Sequence, residues 1–310
     1  MTGWEIAVVV IVCVIGFVLI NSLACFILVN VRLFEINFLN SFEFKFSGYR
    51  EDRERMIKDF NWFNGQNFEW LEMRSFDGLK LKAALLKVEN SNKFMLCFHG
   101  YRSKGLNDFS SSMQFYKRLG YNVLIVNQRS HGKSRGVGIT FGIKEKYDCR
   151  DWVDFIDKRF NPKEIVLSGV SMGAVTVMMA SGLNLSKKVK CVIADCGYTK
   201  PYEIICESIK NLKIPLYPTI WFVSFYAKLF LKISLKSDST INALKKSNIP
   251  IIFIHGTSDK LVPCRMSIEN FEAKKGKKKL ILIEEASHAG SYIKDTQKYE
   301  YEVDEFLKEC

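Results

Sequence analysis

Five residues, Gly169-Val170-Ser171-Met172-Gly173, stand between the apolar run Ile165-Val166-Leu167 and the apolar stretch Ala174 to Ala180. The order reads as a strand, a tight turn and a helix. In that setting a serine between two glycines sits on a sharp, strained turn that exposes its hydroxyl, and glycine lets neighbouring backbone come close. A turn of this kind requires a fold in which strands run directly into helices. A five-residue pattern recurs by chance in long chains, so its surroundings have to supply the rest.

They do so along the chain. Phe68 to Arg74 and Leu79 to Lys87 flank Ser75-Phe76-Asp77-Gly78, whose Asp-Gly pair signals a hairpin. Short apolar runs then recur at Phe94 to Phe98, Val123 to Val126, Ile165 to Leu167, Cys191 to Ala194, Ile251 to Ile254 and Leu280 to Ile283. Nearly continuous runs of this type suit strands buried on both faces of a parallel sheet. Helical spacing marks Arg50 to Phe63, Met113 to Leu119, Lys144 to Phe160, Ser267 to Ala273 and Tyr292 to Leu307. The alternation predicts an α/β fold with an open, mostly parallel central sheet flanked by helices. Ligands bind such sheets at the carboxyl ends of the strands, where His99, Gly100, Arg129 to His131, Ser171, Asp195, Asp259 and His288 fall.

The 310-residue chain has one sharp compositional break. Ile6 to Val29 is apolar apart from Asn21 and Ser22, long enough to cross a bilayer as a helix. A cleaved leader ordinarily carries basic residues before a shorter apolar core, and Met1 to Glu5 has none. Lipoprotein processing at Cys25 is opposed by Phe26-Ile27-Leu28-Val29, which continue the span. The expected organisation is an anchor over 1–31 and a globular unit over 32–310. Arg32, Lys45 and Arg50 follow the span and no basic residue precedes it, which places that unit in the cytoplasm by the positive-inside rule. Nine cysteines without a C-x-x-C pair read as small buried hydrophobes rather than as a metal or disulfide framework. The net charge of +12 is densest at Lys274 to Lys279, read as a solvated helix-to-strand loop at the far edge of the sheet, so no nucleic-acid partner is expected.

A serine hydroxyl needs an adjacent base, held in the right tautomer by a carboxylate, to act as a nucleophile at neutral pH. Of four histidines, His288 follows the last apolar run, where a loop can carry its ring over Ser171. His99 and His255 precede glycines and read as shaping backbone. For the acid, Asp259 follows the penultimate run, with Asp195 as its competitor. Ser171, Asp259 and His288 then occur in the order Ser, Asp, His.

With these residues the chain resembles an α/β-hydrolase-fold serine hydrolase, and is similar to membrane-anchored bacterial members described as esterase-like or serine-peptidase-like. The matching stretches are Phe98 to Tyr101, Asn127 to Ser134, Gly169 to Gly173, His255 to Asp259 and Ser287-His288. Asn127 departs from the Asp common in relatives. The resemblance implies an oxyanion hole formed by the backbone N–H groups of Tyr101 and Met172, so the Tyr101 side chain is expected to matter little. It also implies a cap over the site, about 197–245. Within it, Phe222, Phe225, Tyr226, Leu229 and Ile233 fall at helical spacing opposite Lys228, Lys232 and Lys236. Such a face ordinarily packs on the domain; the sharper alternative is that it lines an acyl pocket or touches a bilayer. The implied activity is hydrolysis of a small-molecule acyl ester or lipid-like substrate, without cofactor or metal. A peptidase or acyltransferase on the same residues and a non-catalytic membrane-bound module are the alternatives.

Overall fold

The structure is a computed structural model that describes residues 1–32, 53–103 and 108–310. The basic residues Lys45 and Arg50 used for orientation lie outside the described residues, as does the start of the helix expected from Arg50. Helix α1 (Gly3–Asn30) covers the apolar span, and an 18-residue window within it has a mean hydropathy of 3.0. It is long and apolar enough to cross a membrane. Its first half is exposed, whereas Ser22, Cys25, Phe26, Val29 and Asn30 are buried against the rest of the protein.

Helix α2 (Arg53–Asn64) packs on the globular unit, with Phe63 in its core and Arg55 donating to the Ile293 carbonyl. The strands follow as β1 (Glu69–Arg74), β2 (Lys80–Leu86) and β3 (Lys93–Phe98), then α3 (Met113–Arg118) and β4 (Tyr121–Asn127). Next come α4 (Glu145–Phe160), β5 (Glu164–Val170), α5 (Met172–Ser181) and β6 (Val189–Asp195). A helical segment intervenes before the next strand, with α6 (Pro201–Asn211), α7 (Leu216–Tyr226), a π-helical turn (Ala227–Leu231) and α8 (Thr240–Leu244). The chain ends with β7 (Ile251–Gly256), α9 (Arg265–Ala273), β8 (Lys278–Ile283), α10 (Ser291–Lys294) and α11 (Thr296–Glu309).

Eight strands form one sheet in the order β1-β2-β4-β3-β5-β6-β7-β8. The first two pairings are antiparallel and all others parallel. Every apolar run lies in a strand; β3 to β7 are covered on both faces and need no polar side, whereas the edge strand β8 is buried through Ile281 and Ile283. One core cluster, which includes Trp152, Leu167 and Val175, lies on one face. A second, including Tyr116, Ile193 and Phe306, lies on the other.

Three expectations are corrected. The helix foreseen over Tyr292 to Leu307 is broken at Asp295, whose carboxylate accepts from the Lys298 amide at 3.0 Å and starts α11 afresh. The lysine-rich loop is not wholly solvated: Lys274 is buried and its Nζ donates to the Ser247 carbonyl at 3.1 Å. In α7 and the turn after it, the buried positions are Thr219, Ile220, Val223 and Ala227, whereas Phe225 and Leu229 are 57% and 45% exposed. This segment is apolar nearly all round, so spacing gave no guide to its inner face, and the smaller side chains took the close contact.

Candidate active site

Ser171 links β5 to α5 with φ +54° and ψ −115°, a left-handed conformation that a side chain rarely adopts. The flanking glycines make that turn possible. A Cβ at Gly173 would stand 1.8 Å from the Phe98 carbonyl oxygen, and one at Gly169 would stand 2.3 Å from the Gly173 oxygen. The turn is held from below by the Ser171 amide, which donates to the Asp195 carbonyl at 2.8 Å.

His288 is in the loop after β8. Its Nε2 lies 3.0 Å from Ser171 Oγ, and its Nδ1 lies 2.7 Å from Asp259 Oδ2. Asp259 is in the loop after β7, where Oδ1 accepts from the amides of Leu261 at 2.8 Å and Val262 at 2.9 Å. The three residues read from the sequence therefore stand in one line. Asp195, the competing acid, does not join it: its Oδ1 accepts from Ser291 Oγ at 3.1 Å.

Burial alone would raise the Asp259 carboxyl. The His288 charge, with hydrogen bonds from His255, His288 and the Val262 amide, holds it well below the usual carboxylate range. Burial likewise opposes the charged form of His288. The Cys196 sulfur and the Asp259 carboxylate outweigh it and lift His288 well above 6.5. Because burial pushes the Cys196 thiol up to about 11, that group is neutral near pH 7 and Asp259 supplies the charge. Cys196, Asp259 and His288 bring metal-ligating atoms within 4.8 Å of one another, but the last two are already turned toward each other.

Asp195 itself is pushed up to about 6, chiefly by burial. The folded state therefore keeps this proton over a pH range in which the unfolded chain has lost it. Stability from this group is present near pH 4 and lost as pH rises through about 6. Asp195→Asn is expected to flatten the fall of Tm across that window relative to the unsubstituted protein, as read by thermal unfolding at matched ionic strength.

The loop after β3 lies over the same turn: a Cβ at Gly100 would meet the Ser171 Cβ at 3.5 Å. The next amide in the chain belongs to Tyr101. Met172 N–H heads α5, and the first amides of a helix have no carbonyl a turn earlier to receive them. His255, read as shaping backbone, acts through its ring, and so does His131 of the loop after β4. His255 Nε2 lies 3.1 Å from Asp259 Oδ2, and its Nδ1 lies 2.6 Å from Ser267 Oγ. His131 Nε2 accepts from the Arg102 amide at 3.0 Å, while Gly100 N–H donates to Asp108 at 2.7 Å. The spacing of four residues between His255 at the end of β7 and Asp259 in the loop after it was the available signal; His131 and Asp108 left none. Asn127 Oδ1 accepts from the Lys133 amide at 2.8 Å. The Tyr101 side chain does have a partner: its hydroxyl donates to the Val29 carbonyl of α1 at 2.7 Å.

Comparison with known proteins gives the same architecture. The family profile described as alpha/beta hydrolase fold matches residues 93–230. The uncharacterized protein YqkD of Bacillus subtilis is 28% identical over 249 residues, 78% of this chain and 81% of its own length. A thiohydrolase of Arthrinium phaeospermum is 27% identical over 139 residues, 44% of this chain and 45% of its own. Among solved structures, an esterase of Pyrococcus furiosus superposes with a TM-score of 0.63 at 26% identity, covering 81% of this chain and 94% of that one. The profile match, these neighbours and the strand order agree: the chain has the α/β-hydrolase fold with esterases among its structural neighbours, which supports hydrolase activity.

Proposed function

We propose that the protein is a membrane-tethered serine hydrolase that cleaves carboxylic esters through an acyl-enzyme. The observation that carries this reading is the continuous line from Ser171 Oγ through both ring nitrogens of His288 to Asp259, with links of 3.0 and 2.7 Å. Asp259 orients the ring with Nδ1–H toward itself, which leaves Nε2 to accept the Ser171 proton. Ser171 Oγ attacks the carbonyl carbon as His288 takes that proton. The resulting oxyanion lies within reach of the Met172 and Tyr101 amides, each such donor contributing about 3 kcal/mol. Collapse breaks the ester C–O bond, and His288 returns its proton to the leaving alcohol. Water then repeats the sequence on the acyl-enzyme and releases the acid.

Fluorophosphonate labelling of the full chain tests the nucleophile, and panels of esters, thioesters and aminoacyl amides test the bond cleaved. Faster turnover of amides, or transfer to an acceptor other than water, would favour the peptidase or acyltransferase readings. A folded protein that neither labels nor turns over would favour a binding module. Tyr101→Phe is expected to leave kcat on a soluble ester within severalfold, because the oxyanion donor is its amide. Thermal stability should fall by the equivalent of about 1 kcal/mol for the lost bond to Val29.

In this reading α1 is an uncleaved single-pass anchor over 1–31, with the hydrolase domain over 32–310 and a cap at about 197–245. Asn30 and Ile139 pair through their backbones at 2.7 Å, and Arg32 Nη1 and Nη2 donate to the carbonyls of Ser134 and Gly132. A span tied in this way to the domain fits an anchor that stays. The domain faces the cytoplasm, so in intact cells it should be protected from external protease; ready cleavage would reverse the orientation.

A further inference from the structure

The apolar helix and the segment between β6 and β7 are joined in a way that fixes where that segment lies. Crossing the hydrocarbon of a bilayer takes about 20 helical residues. Wherever such a window is set within Gly3–Asn30, Leu19 falls inside it. The Tyr226 hydroxyl of α7 donates to the Leu19 carbonyl at 3.3 Å. Two ring contacts continue the join, with Phe26 5.9 Å from Tyr226 and 5.9 Å from Phe230. If α1 spans a membrane, α7 therefore cannot stand in bulk water.

The face that α7 and the following turn leave uncovered has the composition of a membrane interface. Trp221 is 64% exposed, Phe225 57% and Phe230 59%. They share the segment with exposed Lys228, and Lys232 and Lys236 follow. A groove of about 340 Å3 on this surface is lined in part by Trp221, Phe225, Lys228 and Lys236. Aromatic rings favour the boundary between acyl chains and headgroups, and lysine stems lie along apolar surface while their ammonium groups reach lipid phosphates. A patch of this kind is unusual on a protein surface without a partner.

We propose that α7 and its π-helical turn lie in the near leaflet beside α1, with Trp221, Phe225 and Phe230 among the upper acyl chains and the lysines at anionic headgroups. The occupant of this face is the phospholipid leaflet, reached by direct continuity with α1. A consequence follows for the substrate of the reading given above, on which this inference rests. Tyr101, next to Ser171 through Gly100, is bonded to Val29 at the end of the span. The Ser171 turn thus stands close to the end of the span, and the substrates inferred for it are acyl amphiphiles resident in that leaflet.

The test uses the full chain reconstituted in phosphatidylcholine and phosphatidylglycerol vesicles, with bromine near the head of one acyl chain as a quencher of tryptophan emission. The chain has five tryptophans, of which Trp4 lies on α1 and Trp221 on α7. Trp221→Phe should remove a large share of the quenched emission, and Trp4→Phe a further share when quencher is also placed in the opposite leaflet. Quenched Trp4 with unquenched Trp221 overturns the proposal and leaves the anchor standing. Failure of both signals overturns the proposal together with the membrane anchor, whereas ester hydrolysis is scored separately on a soluble short-chain ester.

Discussion

Ser171→Ala is expected to lower kcat by about 10^6-fold, to the level at which only binding and backbone donors remain. This side chain supplies the oxygen that bonds to the acyl group in the proposed mechanism, and no neighbouring group replaces it. Cys196 is close, but its thiol is pushed up to about 11 by burial, so little thiolate is present near neutral pH to substitute. The fold should survive, because the substitution removes a hydroxyl and keeps the Cβ. The strained φ of +54° is permitted by Gly169 and Gly173 and held by the hydrogen bond from the Ser171 amide to the Asp195 carbonyl, none of which changes. Residual activity is to be measured on a soluble ester with thermal unfolding as the control. A variant that retains a tenth of wild-type kcat while folded would exclude Ser171 as the nucleophile.

Asp259→Asn should cost about 10^4-fold in kcat, the size of effect expected when the base is presented in the wrong tautomer. The side-chain oxygen kept by this substitution can still accept from the Leu261 and Val262 amides, so the loop should hold its shape. The introduced amide nitrogen would then face His288 Nδ1, which must accept rather than donate. Nε2 in turn becomes protonated and cannot take the Ser171 proton. A second readout separates this from a loss of packing. In the unsubstituted protein the Asp259 carboxylate helps lift His288 well above 6.5, so the acid limb of kcat/KM should lie above that value. Without the carboxylate, burial is opposed only by the Cys196 sulfur and the limb should move to lower pH. The same shift carries a stability sign: the raised His288 contributes stability that is fully present below pH 6.5 and is lost as pH rises through its folded value. An unmoved limb in the variant would assign the orienting role elsewhere.

What could be read in the sequence was what its local pattern determines. The strands were legible because those buried on both faces are apolar at every position, as in the cores of β4 and β7. Ser171 was legible because only glycine fits the contacts at positions 169 and 173. His288 and Asp259 were legible from their place after successive strands. The supports around them were not. His131 reaches the Arg102 amide across a separation of 29 residues, and Asp108 meets Gly100 and Ser103 from a loop without periodicity. His255 was misassigned to backbone shaping because its place before a glycine at a strand end masked the one signal available, its four-residue spacing from Asp259. The inner face of α7 was hidden for a different reason. A helix that is apolar all round carries no phase, and only the packing against α1 and the domain chose Val223 and Ala227 over Phe225. The join between α1 and the loop of Tyr101 and Arg102 is a tertiary contact, which no pattern within either segment specifies.

The central claim is that Ser171 is the group acylated during turnover. Its most direct test is to label the folded full chain with a fluorophosphonate, digest it and locate the adduct by mass spectrometry. The account predicts one stoichiometric phosphonyl adduct on Ser171, absent from Ser171→Ala and slowed in Asp259→Asn. An adduct on another residue, or a folded wild-type protein that takes up no label while hydrolysing esters, would contradict it.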